Sequence, residues 1–168
     1  SPEIRRPTPA DTSIPALIAT LRWVLEQVAK PVHVVRTILE LAVTRTQADR
    51  GVFVEVDRDG KLEYKVLHHF DPDDLAETQA SFSRTIFKEV LDTGRPILIE
   101  NAMDDPRFLG SDSIQSLKLV SVLSMPIEVG GRIGAIVHLE KDRSRHFTQA
   151  HRDLLGSLLE VAAPVPAP

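Results

Sequence analysis

Apolar residues recur at two periods along this chain, and the switches between them mark out its elements. Ile14, Leu17, Ile18, Leu21, Val24, Leu25 and Val28 fall at helical spacing. Ser13 stands where an N-cap is wanted, and a proline such as Pro15 is tolerated in a first turn. Pro31 ends or kinks this helix. A second helix is predicted from Pro31 to about Thr46, with Val34, Val35, Ile38, Leu39, Leu41 and Ala42 on its apolar side. The period then drops to two. Val52, Val54 and Val56 alternate with Phe53 and Glu55, a strand pattern. Asp57 to Gly60 carries turn chemistry, and Leu62 to Phe70 returns as the partner strand.

The stretch "DPDDLAETQ" is polar and reads as irregular. A third helix is predicted from Ser83 through Thr93, with Ile86, Phe87, Val90 and Leu91 inward; Gly94 suits its C-terminal cap. "ILIE" is a short strand. "LVSVLSMPIEV" and "IGAIVHLEK" flank "GG" and read as a second hairpin. Thr148 caps a last helix bearing Leu154, Leu155, Leu158, Leu159 and Val161. Two hairpins with helices at the ends imply an α+β fold, an antiparallel sheet with helices on its faces. The expected division is a linker at 1–12, a helix at 13–30, a domain at 31–163 and a second linker at 164–168.

Composition narrows the function. The 168 residues suffice for one domain with its own core. A net charge of −4 and a pI near 5.8 argue against a nucleic-acid-binding face on this segment. There is no cysteine, which removes thiol catalysis, thiolate zinc and thioether chromophore attachment. A cysteine-free chain suits a cytoplasmic protein. No run of about 18 apolar residues is present, so no membrane span is expected.

Weak patterns resolve blandly. "EVDRDGKLE" imitates a calcium loop, but Val66 stands where the bidentate glutamate belongs, so a hairpin turn is expected. His68 and His69, adjacent in a strand, should point to opposite faces. His138 is expected to be a satisfied, half-buried imidazole. No cofactor, metal set or catalytic constellation is recognisable, and the chain does not read as an enzyme.

The long insertion between "PILIE" and "LVSVL" stands out, because most connections within a domain are about 4–6 residues long. It holds charges at Asp104, Asp105 and Arg107, a large apolar residue at Phe108, and hydroxyls at Ser111, Ser113 and Ser116. A short helix is expected near Ser113 to Leu117. A lid over a small molecule needs this mixture of one apolar plug and several hydrogen-bonding groups. The same residues could fold on themselves, with Asp104 accepting turn N–H groups and Arg107 pairing with an aspartate. Along the following strand, Ser121, Leu123 and Met125 share one face and Val122, Ser124 and Pro126 the other. Asn101, Asp104, Arg107, Phe108, Ser116 and Ser121 are the candidate ligand-binding residues.

From Val32 to Val161 the chain resembles a GAF domain, most specifically in "SRTIFKEVLDTGRPILIENAMDDPRF", "LVSVLSMPIEVGGRIGAIVHLE" and "FTQAHRDLL". The resemblance is to the GAF domains of bacterial signalling and transcription-regulatory proteins. It implies terminal helices on one sheet face and a ligand pocket under helix and loops on the other, with the insertion as its lid. It also implies a small-molecule ligand, a homodimer built through the terminal helices, and an output domain outside this chain. An interaction and dimerisation domain with a degenerate, empty pocket is the alternative. Members that bind cyclic nucleotides carry an Asn-Lys-Phe-Asp-Glu signature. By position, Lys141 and Phe147 match it, whereas Glu140, His151 and Arg152 do not, which argues against such ligands. The family's bilin attachment and its methionine sulfoxide reductase branch both require cysteine.

Overall fold

The computed structural model describes residues 13–27, 31–70, 77–107, 121–142 and 146–162. Within these, helices α1 (Ile14–Gln27) and α2 (Pro31–Thr46) precede the hairpin β1 (Arg50–Val56) and β2 (Leu62–His68). Helix α3 (Glu77–Thr93) and the short strand β3 (Ile97–Ile99) follow. The hairpin β4 (Ser121–Val129) and β5 (Arg132–Lys141) leads into helix α4 (Gln149–Ala162). The five strands form one antiparallel sheet in the order β2-β1-β5-β4-β3.

Local chemistry sets the boundaries. Ser13 caps α1, its Oγ accepting the Ala16 N–H at 3.4 Å. Gly94 takes φ 67° and donates its N–H to the Val90 carbonyl at 2.8 Å, closing α3 with a left-handed cap. Gly130 and Gly131 both take positive φ, as a two-residue hairpin turn between right-twisted strands requires. The Asp57–Gly60 turn is held by Asp57 Oδ1, which accepts the N–H groups of Asp59 and Lys61 at 2.8 Å each.

Two expectations are corrected. Helix α3 starts at Glu77, six residues before Ser83. Its first turns lack apolar periodicity but hold Glu77, Gln79 and Ala80, good helix formers. His68 and His69 do not point apart. β2 ends at His68, His69 turns to φ 58°, and the two rings stack at 4.1 Å.

The sheet separates two cores. On one face Leu17 and Leu21 of α1, Val34, Ile38, Leu39, Ala42 and Val43 of α2, and Leu155, Leu158 and Leu159 of α4 pack on Leu123, Met125, Val137 and Leu139. The apolar stripe of α1 thus buries Leu17 and Leu21 within its own chain, while Ile14 stays exposed. On the opposite face Ile86, Phe87 and Val90 of α3 pack on Val52, Val54, Val122, Ile136, Ile97 and Ile99. Alternation distributes strand residues between these cores, except where register shifts put Leu62 and Val66 of β2, and Ile133 and Ala135 of β5, on opposite sides.

Candidate functional site

The α3 face of the sheet carries a buried polar row. Strand alternation sets Ile136, His138 and Glu140 of β5 towards α3, while Val137 and Leu139 go to the terminal helices. The register then pairs His138 with Val52 on one side and Ser124 on the other, and Glu140 with Arg50 and Val122. Ser124, His138 and Glu140 are fully buried.

Glu140 organises the row. Its Oε2 accepts from Arg50 Nε at 3.2 Å and Nη2 at 3.1 Å, and its Oε1 lies 2.9 Å from His138 Nε2. Arg50 Nη1 donates to Asp142 at 2.7 Å, and the guanidinium sits 5.6 Å from the Phe70 ring centroid. Burial pushes the Glu140 carboxyl up, but the hydrogen bond from His138 and the charge and hydrogen bonds of Arg50 outweigh it and hold the pKa below the ordinary value. An ionised carboxylate only accepts, so Nε2 of His138 must carry the proton that joins them.

The other ring nitrogen is a different case. His138 Nδ1 and Ser124 Oγ have no hydrogen-bond partner among the described residues. The ring meets Phe87 edge-on, at 5.1 Å and 79°. His138 is therefore fully buried and satisfied at only one of its two nitrogens among the described residues, contrary to expectation. A serine, a histidine and a glutamate side by side invite comparison with a hydrolytic triad. The hydroxyl and the imidazole do not bond to each other here, however, so the serine has no engaged base.

The sequence-predicted residues divide differently. Ser121 lies on the terminal-helix side, where its hydroxyl donates to the Ile99 carbonyl at 2.7 Å and accepts the Phe147 N–H at 3.0 Å. It ties β3 to the start of α4. Asn101, Asp104 and Arg107 belong to a self-structured turn. Asn101 Oδ1 accepts the Met103 N–H at 3.1 Å, and its Nδ2 donates to Asp104 at 3.0 Å. Asp105, not Asp104, accepts a turn N–H, that of Arg107 at 2.9 Å. Arg107 clamps this turn to α3 by donating to both carboxylate oxygens of Glu89, at 2.6 and 2.7 Å, and pairs with Asp105 at 2.7 Å. Phe108, Ser116 and the helix expected near Ser113 lie outside the described residues.

Lys141 and Phe147 do meet. The buried Lys141 Nζ lies 4.7 Å from the Phe147 ring centroid, and His151 approaches that ring edge-on at 6.0 Å. His151 closes the N-terminus of α4. Its Nδ1 accepts the Thr148 N–H at 3.1 Å while Thr148 Oγ1 accepts the His151 N–H at 3.4 Å, a reciprocal cap with histidine in the usual glutamate position.

A family model described as "GAF domain" matches residues 30–165, most of the chain. The chain belongs to the GAF domain family. GAF domains are sensory and regulatory modules of signalling proteins. No curated protein matches this GAF domain in sequence. Solved structures do match in fold. The GAF domain of a phosphoenolpyruvate-protein phosphotransferase from Acinetobacter is 12% identical, over 94% of this chain and 98% of that one, at a TM-score of 0.63. A free methionine-R-sulfoxide reductase from Neisseria meningitidis, in complex with its substrate, is 13% identical over 89% and 86%, at 0.67. A GAF domain/HD domain protein from Geobacter sulfurreducens is 14% identical over 83% and 95%, at 0.58. At these identities the likeness concerns the fold.

In the sequence His138 reads as a bland imidazole, Ser124 as one position of a strand face and Glu140 as a departure from a signature, while Arg50 is not singled out. Two signals were available: His138 and Glu140 stand at i, i+2 within an apolar strand, and Ser124 interrupts the Val122–Pro126 face. What brings them together is the register of three strands.

Proposed function

We propose that this GAF domain is a non-enzymatic sensory module that binds a small molecule on the α3 face of its sheet. The observation that carries this reading is a pair of buried polar atoms without a partner among the described residues, His138 Nδ1 and Ser124 Oγ, beside the Glu140–Arg50 pair on that face. Buried polar groups are nearly always hydrogen-bonded, and exceptions call for a specific explanation. A ligand group that completes their bonding supplies one. The chain has no cysteine for the sulfoxide chemistry of the reductase branch.

The insertion from Asn101 to Lys118 acts as the lid in this reading. Asn101, Asp104 and Arg107 shape it rather than reach the ligand, since their side chains are engaged with one another, with Asp105 and with Glu89. Phe108 and Ser116 remain the lid residues proposed to touch the ligand. The module acts in the cytoplasm as a homodimer through α1 and α4, and controls an output domain outside this chain. A bacterial signalling protein, of two-component or transcription-regulatory type, is the proposed setting. Among the described residues no helix is long and apolar enough to cross a membrane.

Methyl-labelled NMR during titration with a metabolite library tests the binding reading. Shifts centred on Val52, Val122 and Ile136, with smaller ones at Leu155 and Leu158, are expected. Shifts confined to exposed residues with every compound would refute it. Sedimentation of the intact chain and of one starting at Pro31 tests the dimer: a dimer that becomes a monomer is expected, and two monomers refute it.

A further inference from the structure

His138 and Ser124 are directly paired across β5 and β4, so their side chains stand side by side on one face. With Nε2–H committed to the Glu140 carboxylate, Nδ1 is the acceptor in the tautomer that leaves its lone pair free. The Ser124 hydroxyl is free to donate. The surroundings are apolar: Val52 flanks His138, Ile97 flanks Ser124, and Ile136 and Phe87 lie next to the ring. Arg50, the cation of this row, is spent on Glu140 and Asp142. Nothing among these groups welcomes an anion, and the acceptor Nδ1 repels one.

We propose that His138 Nδ1 and Ser124 Oγ read an uncharged cyclic amide, a lactam or ureide edge, whose N–H donates to Nδ1 and whose C=O accepts from Oγ. The cis amide edge follows from geometry. In an open-chain secondary amide the trans bond points N–H and C=O in opposite directions, so it cannot serve two adjacent protein atoms. A cyclic amide is held cis and presents donor and acceptor on one edge. This inference rests on the reading that the α3 face takes a small molecule. A bridging water satisfies the same two atoms and is the competing occupant.

The probes are 2-pyridone, N-methyl-2-pyridone, benzoate and toluene, added to the intact chain. Binding is read from the His138 Nδ1 nitrogen resonance and the methyl signals of Val52 and Ile136. 2-Pyridone should move all three. N-methyl-2-pyridone, which lacks the donor, and benzoate, which is an anion, should bind at least about tenfold more weakly. Ser124→Ala should weaken 2-pyridone by about tenfold and leave toluene unchanged. Its melting temperature should not fall, since the hydroxyl has no partner to lose among the described residues. Equal binding of 2-pyridone and its N-methyl form, a preference for benzoate, or no effect of Ser124→Ala overturns the ligand class. If toluene moves the methyl signals while 2-pyridone does no better, the site stands and the lactam assignment falls. If no probe moves any α3-face methyl, the site itself falls.

Discussion

Arg50 and Glu140 stand directly opposite each other on β1 and β5, and two guanidinium nitrogens donate to the same carboxylate oxygen, at 3.2 and 3.1 Å. The glutamate is fully buried and the arginine partly buried. Such a pair adds little over a well-packed apolar pair, but breaking it strands a charge. Arg50→Met should therefore cost about 3–5 kcal/mol in urea unfolding. Arg50→Met combined with Glu140→Gln should recover more than half of that loss, because the buried charge is gone. A double variant no more stable than the single one would show that the arginine acts through packing on Phe70 instead.

Acid should find the same pair. Burial raises the Glu140 pKa, but His138 and Arg50 lower it further, so the folded value lies below the ordinary 4.5. For Asp142, burial is likewise outweighed by the hydrogen bond from Arg50. The unfolded chain then takes up protons first as the pH drops. The stability these groups contribute is complete above their ordinary values and is lost as the pH falls through the folded ones. Thermal melts of Glu140→Gln should decline less steeply below pH 4.5 than those of the wild type.

The α4 cap titrates in a higher window. Burial, then the charge of Lys141, lowers the His151 pKa below 6.5. Protonated Nδ1 cannot accept the Thr148 N–H, so stability should fall as the pH drops from 6.5 towards the folded value, and level off beneath it. Glutamine caps at every pH. His151→Gln should flatten this segment of the melting curve, leaving the slope from His68, whose pKa burial and His69 also lower. Thr148→Ala should cost about 1 kcal/mol at all pH values.

At Gly51, β1 runs against α2 with no room for a side chain. A Cβ there would meet Val43 Cγ2 at 2.7 Å and Leu139 Cδ2 at 3.0 Å. Val43 is β-branched and cannot swing aside freely. Gly51→Ala should destabilise by about 1–3 kcal/mol in chemical unfolding. Gly51→Ala with Val43→Ala should be more stable than Gly51→Ala with a distant alanine substitution of equal cost.

The Arg107–Glu89 clamp is bidentate but partly exposed. A double-mutant cycle of Arg107→Ala and Glu89→Gln should give a coupling of at most about 1 kcal/mol, smaller at high salt. Amide exchange at Met103, Asp104 and Asp105 should quicken in Arg107→Ala, while the α3 core at Phe87 keeps its protection. Unchanged exchange would mean that the Asx turns alone hold the insertion.

Much of the architecture lies in local patterning. Pro31 divides α1 from α2, Gly94 ends α3, and the Gly130–Gly131 pair turns one hairpin, each through a backbone property of the residue itself. Strand alternation also places Leu123 and Met125 opposite Val122, and Val52 opposite Phe53, without knowledge of any neighbour. The polar N-terminal turns of α3 are less legible, because their side chains bear no periodic pattern. The insertion is legible as unusual in length and composition. Whether its charges meet a ligand or each other depends on Glu89, 18 residues upstream, coming within 2.6 Å of Arg107.

The sequence by itself determined the elements, the two-faced sheet and the cysteine-free chemistry, because these follow from periodicity, turn residues and composition; the family followed from the match over residues 30–165. Tertiary structure alone decided which polar residues form a site. Alternation tells that His138, Glu140 and Ser124 each leave one face of a strand, but not which strands are neighbours. Only the β1–β5–β4 register sets Arg50 beside Glu140 and Ser124 beside His138. A one-residue slip would turn those side chains to the other face.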